Sequence, residues 1–233
     1  VRSRRQRQMC IRDSNNKIDG NIIGMNDDLD QAHKNGTICT SGECSGIYIT
    51  NSASNNEIGV VKKNTIAGDH QYQILIDGGA NGNKVQNNDI GLDNTVIANG
   101  ESIQTAIKIT GNGTNNNEIG LTQIEGNLIV HSSNQAILID AGASGNKVSG
   151  NTFIGSTGLS PESAITINGA SNNIIGGVAD NTGNIISKTA ADAIVVKGTS
   201  AGNEIQTNFI GTNATGSADI GPCLLYTSPS PRD

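Results

Sequence analysis

NKVQNNDIG at residues 83–91 returns as NKVSGNTFIG at residues 146–155 and as NEIQTNFIG at residues 203–211. Each copy opens on Asn, places Val or Ile two residues later, and comes back to Asn before another apolar residue. Looser versions fill the gaps between these copies. Asn-x-Ile or Asn-x-Val begins at Asn16, Asn56, Asn83, Asn117, Asn146, Asn173 and Asn203. A second Asn, followed within three residues by Ile, recurs at Asn21, Asn64, Asn88, Asn127, Asn151, Asn184 and Asn208. A third recurrence is a short alternating run: Ile47-Tyr-Ile49, Ile74-Leu-Ile76, Ile107-Lys-Ile109, Ile137-Leu-Ile139, Ile165-Thr-Ile167 and Ile194-Val-Val196. Successive runs start 27, 33, 30, 28 and 29 residues apart. Self-similarity at a period of this size marks a stacked-repeat architecture. Alternate cycles match better than neighbours, so the unit can be read as two cycles.

Three β-type segments per cycle, each too short to build a hairpin core, predict an all-β parallel β-helix. It is a solenoid of about seven coils, each of roughly 27–33 residues with three short strands. Each strand lies on its counterpart in the next coil, about 4.8 Å away, so seven coils stand roughly 34 Å tall. Period-2 alternation turns Ile47 and Ile49 inward and Tyr48 and Thr50 outward. Gly and Asn at the corners accept the positive φ that each bend requires. Leucine-rich repeats are the rival solenoid, but no LxxLxL pattern is present. The calcium-binding nonapeptide and a hexapeptide period are absent as well.

GNEIQTNFIGTNATGSADIG (residues 202–221) and GGVADNTGNIISKTAADAIVV (residues 176–196) resemble bacterial right-handed parallel β-helix repeat proteins of the pectin-lyase-like superfamily. The resemblance covers nearly all of residues 15–222. It implies a right-handed coil and leaves function open, since that superfamily includes lyases, hydrolases, adhesins and structural stalks.

The two ends read differently. MCIRDS (residues 9–14) and CLLYTS (residues 223–228) can be encoded by opposite strands of one short DNA element, AGATGTGTATAAGAGACAG. That element resembles a transposase adaptor used in sequencing libraries, whose flanking bases would supply RRQRQ and PSPRD. Residues 1–14 and 223–233 are therefore expected to be adaptor-derived, and residues 15–222 a β-helix fragment. The rival reading is a native basic N-terminus with a Pro-rich tail.

The whole chain carries a net charge of −6, but residues 15–222 hold nine Lys, no Arg and 19 acids, a net of −10. Phosphate neutralisation needs cations, so a nucleic-acid partner is not expected. The same stretch has only Tyr48, Tyr72, Phe153 and Phe209 as aromatics, too few for base stacking. No apolar run approaches the ~18 residues of a membrane span. The core must come from Ile and Val. Cys10 and Cys223 fall in the terminal stretches, leaving Cys39 and Cys44 in TICTSGEC. Two cysteines do not complete a structural zinc site, which takes four ligands. They are read as a local disulfide, with free thiols as the alternative; a disulfide suits an extracellular or cell-surface setting.

Stacking turns repeats into columns. The two Asn series predict amide ladders running the length of the rod, a structural device. The residue after each first-series Asn reads Lys17, Glu57, Lys84, Glu118, Lys147, Ile174 and Glu204, so charges alternate until Ile174. At an exposed surface such pairs are worth a few tenths of a kcal/mol each, and they favour one register over a one-coil slip.

The outward face of the first segment is the candidate site. Asp77 and Asp140 fall two coils apart, about 9.6 Å between backbones, with Lys108 on the coil between. Carboxyl groups roughly 6.5–9.5 Å apart suit an inverting glycosidase, one as acid and one as base. These three are the candidate catalytic set, and Tyr48, Thr50, Thr110, Asn168 and Lys197 are the candidate ligand-contacting face. The resemblance also implies what a lyase would need: clustered Asp for Ca²⁺ and an Arg or Lys base. Residues 15–222 have neither Arg nor such a cluster on this face. Asn26-Asp-Asp-Leu-Asp30 could offer oxygens to Ca²⁺ but matches ordinary loops in sister coils. No resident cofactor or metal site is expected. His33, His70 and His131 differ in their offsets from the strands and read as turn residues.

Two functions follow. The first is a rigid structural or adhesive module of a secreted or surface protein, with a polysaccharide or cell-surface glycan as its partner. The second is a polysaccharide hydrolase or lyase using the Asp77–Lys108–Asp140 face. An excised solenoid without capping units is further expected to expose Ile-rich terminal coils and associate end to end.

Overall fold

The computed structural model describes residues 9–25, 45–68, 71–91, 103–130, 132–155, 161–213 and 215. These residues are all-β, with no helix among them. The first coil holds β1 (Met9–Ile11), β2 (Lys17–Ile18) and β3 (Ile22–Ile23), and the second β4 (Ser45–Ile49), β5 (Glu57–Ile58) and β6 (Thr65–Ile66). The third has β7 (Tyr72–Ile76), β8 (Lys84–Val85) and β9 (Asp89–Ile90); the fourth has β10 (Ile103–Thr110), β11 (Glu118–Ile119) and β12 (Leu128–Val130). Next come β13 (Ser132–Asp140), β14 (Lys147–Val148) and β15 (Thr152–Ile154), then β16 (Ser163–Asn168), β17 (Ile174–Gly176) and β18 (Ile185–Ser187). The seventh coil ends the described fold with β19 (Ile194–Lys197), β20 (Glu204–Gln206) and β21 (Phe209–Ile210).

Every third strand pairs with its counterpart, giving three parallel sheets of seven strands. This is the expected parallel β-helix. Strand β1 lies within residues 1–14, the stretch expected to be adaptor-derived. It pairs Ile11 with Ile49 at the edge of the first sheet. A three-residue run with one inward β-branched side chain is enough to extend an open parallel edge, whatever DNA encoded it.

The core is a set of columns. Ile47, Ile74, Ile107, Ile137, Ile165 and Ile194 stack in register, as do Ile49, Ile76, Ile109, Ile139 and Ile167. Ile58, Val85, Ile119, Val148 and Ile175 face them from the second sheet, and Ile66, Ile90, Ile129, Phe153 and Ile186 from the third. Phe153 is the one aromatic in this core. The two ends differ. Val196, Ile205 and Ile210 of the seventh coil are 45%, 48% and 43% exposed, whereas Ile11, Ile18 and Ile23 of the first coil are buried. The expected apolar terminal face is present at the last described coil and not at the first.

Both amide ladders are formed. Along the first, each Nδ2 donates to the Oδ1 of the next coil at 2.8–3.2 Å, from Asn16 to Asn203. Along the second the spacing is 2.8–3.1 Å, from Asn21 to Asn208. Asn117 shows the full valence. Its Nδ2 donates to Asn146 Oδ1 and to the Ala80 carbonyl, and its Oδ1 accepts from the Nδ2 and the backbone N–H of Asn83. Two donors and two lone pairs are all satisfied in a fully buried side chain.

The residue before each first-ladder Asn is Asn15, Asn55, Gly82, Asn116, Gly145, Asn172 or Gly202, and all seven have φ between 55° and 65°. Only Gly, or Asn with its short amide, occupies this left-handed region at small cost, which explains the sequence column. Odd and even coils differ at the next corner. Odd coils bridge the second and third sheets in a tight turn, while even coils insert a longer loop after Gly59, Gly120 or Gly176. That alternation is the two-cycle unit seen in the sequence. On the outside of the second sheet, Lys17, Glu57, Lys84, Glu118 and Lys147 are register neighbours. Lys17 and Glu57 pair at 3.2 Å.

Candidate functional site on the outer face of the first sheet

Strand alternation sends two columns outward, as expected. One runs Tyr48, Leu75, Lys108, Leu138, Thr166 and Val195. The other includes Thr110, Asp140, Asn168 and Lys197 in register, with Asp77 and Thr50 on the preceding coils.

A third column was not legible in the sequence. Just before each Ile-x-Ile run the chain bends and turns two consecutive residues inward. Ala106 and Ile107, Ala136 and Ile137, and Ala164 and Ile165 all belong to the buried core. A Cβ placed on Gly46 would touch the Cγ2 atoms of Ile66 and Ile23, so that position also faces the core. The bend shifts the alternation by one, and Ser45, Tyr72, Thr105, Gln135 and Ser163 become register neighbours. Tyr72 therefore lies on the outer side of the sheet, where it is buried, as are Ser45, Thr105 and Ser163 of the same column. Counting by two from the Ile-x-Ile runs puts only Tyr48 among the aromatics on this side, and the bend adds Tyr72.

These columns bring the candidate residues together. The Tyr48 hydroxyl donates to Asp77 Oδ2 at 2.9 Å. Lys108 Nζ lies 3.8 Å from Asp140 Oδ2 and 3.4 Å from the Tyr72 hydroxyl, and 5.1 Å from the centroid of the Tyr72 ring. The ammonium is thus held by an anion and an aromatic face at once. Asp77 Oδ1 and Asp140 Oδ1 are buried and accept no hydrogen bond, leaving each carboxylate with one oxygen unused. Such oxygens are costly unless a ligand or water supplies a donor. Ser45 Oγ and Gln73 Oε1 are likewise buried without a partner.

Exposure is uneven across the face. Leu75 and Thr166, outward by alternation, are buried, so the solvated strip expected there is interrupted. Thr50 and Thr110 are half-buried, while Asn168 and Lys197 are exposed at the C-terminal end. Asp77 and Asp140 remain two strand spacings apart, about 9.6 Å between backbones. The described residues also line a cavity of about 400 Å³ at the first coil, beside Ile11, Arg12, Lys17 and Asp19, away from the three candidate catalytic residues.

Among the described residues no group of three or more His, Cys, Asp or Glu is placed to hold a metal ion. Cys39 and Cys44, Asn26–Asp30, His33, His70 and His131 lie outside the described residues, as do residues 1–8 and 216–233. Set against known protein families, curated proteins and solved structures, the chain matches none of them.

Proposed function

We propose that this chain is a rigid structural or adhesive module of a secreted or cell-surface protein, and that the outer face of its first sheet contacts a glycan. The observation that carries the reading is the pair of uninterrupted amide ladders. Each saturates its own hydrogen bonds through seven coils, which supports a rod that does not bend. On that rod Tyr48 holds Asp77, and Asp140 and Tyr72 hold Lys108, a set of fixed donors and acceptors of the kind that sugar hydroxyls need. Asn168 and Lys197 extend the same column.

A second reading is favoured by one specific feature. Asp77 and Asp140 stand two coils apart on one face, a spacing that suits a hydrolase with one carboxyl as acid and the other as base. Affinity electrophoresis in gels of dextran or polygalacturonate, run beside a reducing-end assay, separates the two. For the module, wild-type mobility is retarded without release of reducing ends. The Asp77→Asn/Asp140→Asn variant then loses at least about threefold in affinity, the loss of a weak charge-assisted contact. For the enzyme, wild type releases reducing ends and the variant loses at least about 10²-fold in rate. No retardation and no release with either polymer or with a cell-surface glycan panel would reject both.

A further inference from the structure

The even-coil loops carry a feature that the glycan face does not use. Val61 in the second coil, Ile124 in the fourth and Val178 in the sixth are 73%, 86% and 83% exposed. All three sit at the corner between the second and third sheets, on loops two coils apart, about 9.6 Å per step. Single exposed aliphatics are ordinary, but a row repeating along one edge of a solenoid is not scattered.

These loops are held firmly. Each folds onto the tight turn of the preceding odd coil: Gly20 N–H donates to the Lys62 carbonyl, Asn87 N–H to Glu125, and Gly150 N–H to Thr182, at 2.8–3.0 Å. Asp19 Oδ1 accepts from the N–H groups of Val61 and Lys62. Gln123 N–H reaches the Asn181 carbonyl at 2.8 Å, tying the fourth-coil loop to the sixth-coil loop. The chain thus fixes three aliphatic side chains in water on a rigid ridge.

Charge says what could cover it. Lys62 beside Val61 and Asp180 beside Val178 are both exposed, and neither has an ion-pair partner among the described residues. The ridge runs from the exposed cation of Lys62, through Ile124 and its exposed neighbour Glu125, whose Oε2 accepts from the Thr122 hydroxyl, to the exposed anion of Asp180. We propose that it pairs two copies of the chain side by side and antiparallel. A two-fold axis through Ile124 sets Ile124 against Ile124 and Val61 against Val178. The same axis sets Lys62 against Asp180 twice, an isologous contact. Parallel pairing would place like charges together and is disfavoured. Three aliphatic tips with their flanks make a small interface, so the dimer belongs to the weak, micromolar class.

Sedimentation velocity of the whole chain over a micromolar concentration series tests this, with far-UV circular dichroism as the check on folding. Wild type should pass from monomer to dimer. Ile124→Asp should remain monomeric over at least a tenfold wider range, about the loss expected from a charge in an apolar contact. Lys62→Asp and Asp180→Lys should each weaken association about tenfold, and the two combined should restore it, because exchanging both charges rebuilds both pairs. End-to-end association through Val196 and Ile205 would ignore that exchange. A wild-type monomer at every concentration overturns the proposal. So does association that persists in Ile124→Asp, or a double variant no better than the singles.

Discussion

Asn117→Asp lowers the stability of the rod by about 3–5 kcal/mol at neutral pH, whereas Asn55→Asp at the corresponding corner of the second coil stays within about 0.5 kcal/mol. The two changes are chemically identical, and their settings decide the outcome. Asn117 is fully buried, and its Nδ2 spends both protons on Asn146 Oδ1 and the Ala80 carbonyl. A carboxylate there puts oxygen against oxygen in both directions and buries an unpaired charge. Its other oxygen still accepts from Asn83, so half of the junction survives. Asn55 is exposed, and its work is to hold a φ of 55°, which Asp also tolerates.

The buried variant also acquires a pH dependence of defined sign. Burial against acceptors favours the protonated acid, which can donate to Asn146 Oδ1, so the folded state keeps a proton that the unfolded chain has lost. Such a group makes the deficit grow as pH rises above about 3.9, the free Asp value, and shrink as pH falls toward it. Urea midpoints by circular dichroism at pH 7 and pH 4, each relative to wild type, measure both parts. A neutral-pH cost no greater than that of Asn55→Asp, or a deficit that widens in acid, would refute the ladder account.

Gly120→Ala is the second large effect, with an expected loss of about 3 kcal/mol or more. Gly120 has φ +76°, and a Cβ on it would fall on the Ser149 carbonyl oxygen and the Asn151 amide of the next coil. The left-handed backbone costs an L-residue about 1–2 kcal/mol, and the overlap a further 1–3. Backbone relief is blocked, since Ser149 N–H is bonded to the Ile119 carbonyl at 3.0 Å and Asn151 Nδ2 to the same carbonyl at 2.8 Å. The substitution therefore parts the fourth and fifth coils where the second ladder crosses. Gly169→Ala isolates the first contribution: its φ is +62°, but nothing lies within 4 Å of the added carbon. Thermal midpoints should fall in the order wild type, Gly169→Ala, Gly120→Ala. Equal losses in the two variants would remove coil-to-coil contact as the cause.

Both effects come from coil contacts at 29–37 residues of separation, yet the partners were identifiable from sequence. Asn117 meets Asn83 and Asn146 because the repeat length fixes which residues are stacked. The isoleucine columns, the Asn or Gly corner before each residue of the first ladder, and the alternation from Lys17 to Lys147 were legible for the same reason. In a solenoid each coil repeats its neighbour's backbone, so a periodic sequence states its own contact map.

What repetition could not supply is whatever departs from it. Period-2 counting puts Asp77, Lys108 and Asp140 on one face but misses Tyr72, because the bend before the Ile-x-Ile run turns two residues inward and shifts the count. Neither the grip of Tyr72 and Asp140 on Lys108 nor the unused oxygens on the two carboxylates follows from spacing; both depend on side-chain rotamers. The even-coil loops were foreshadowed only by the better match between alternate cycles. Whether Val61, Ile124 and Val178 pack or protrude depended on how each loop folds over the turn beneath it. The coil, its core columns and its ladders could be read from the residues, because these need only a repeat distance and an alternation. The tertiary structure alone decided which outward groups meet and which aliphatic side chains stay in water, because those rest on bends and loop paths that differ from coil to coil.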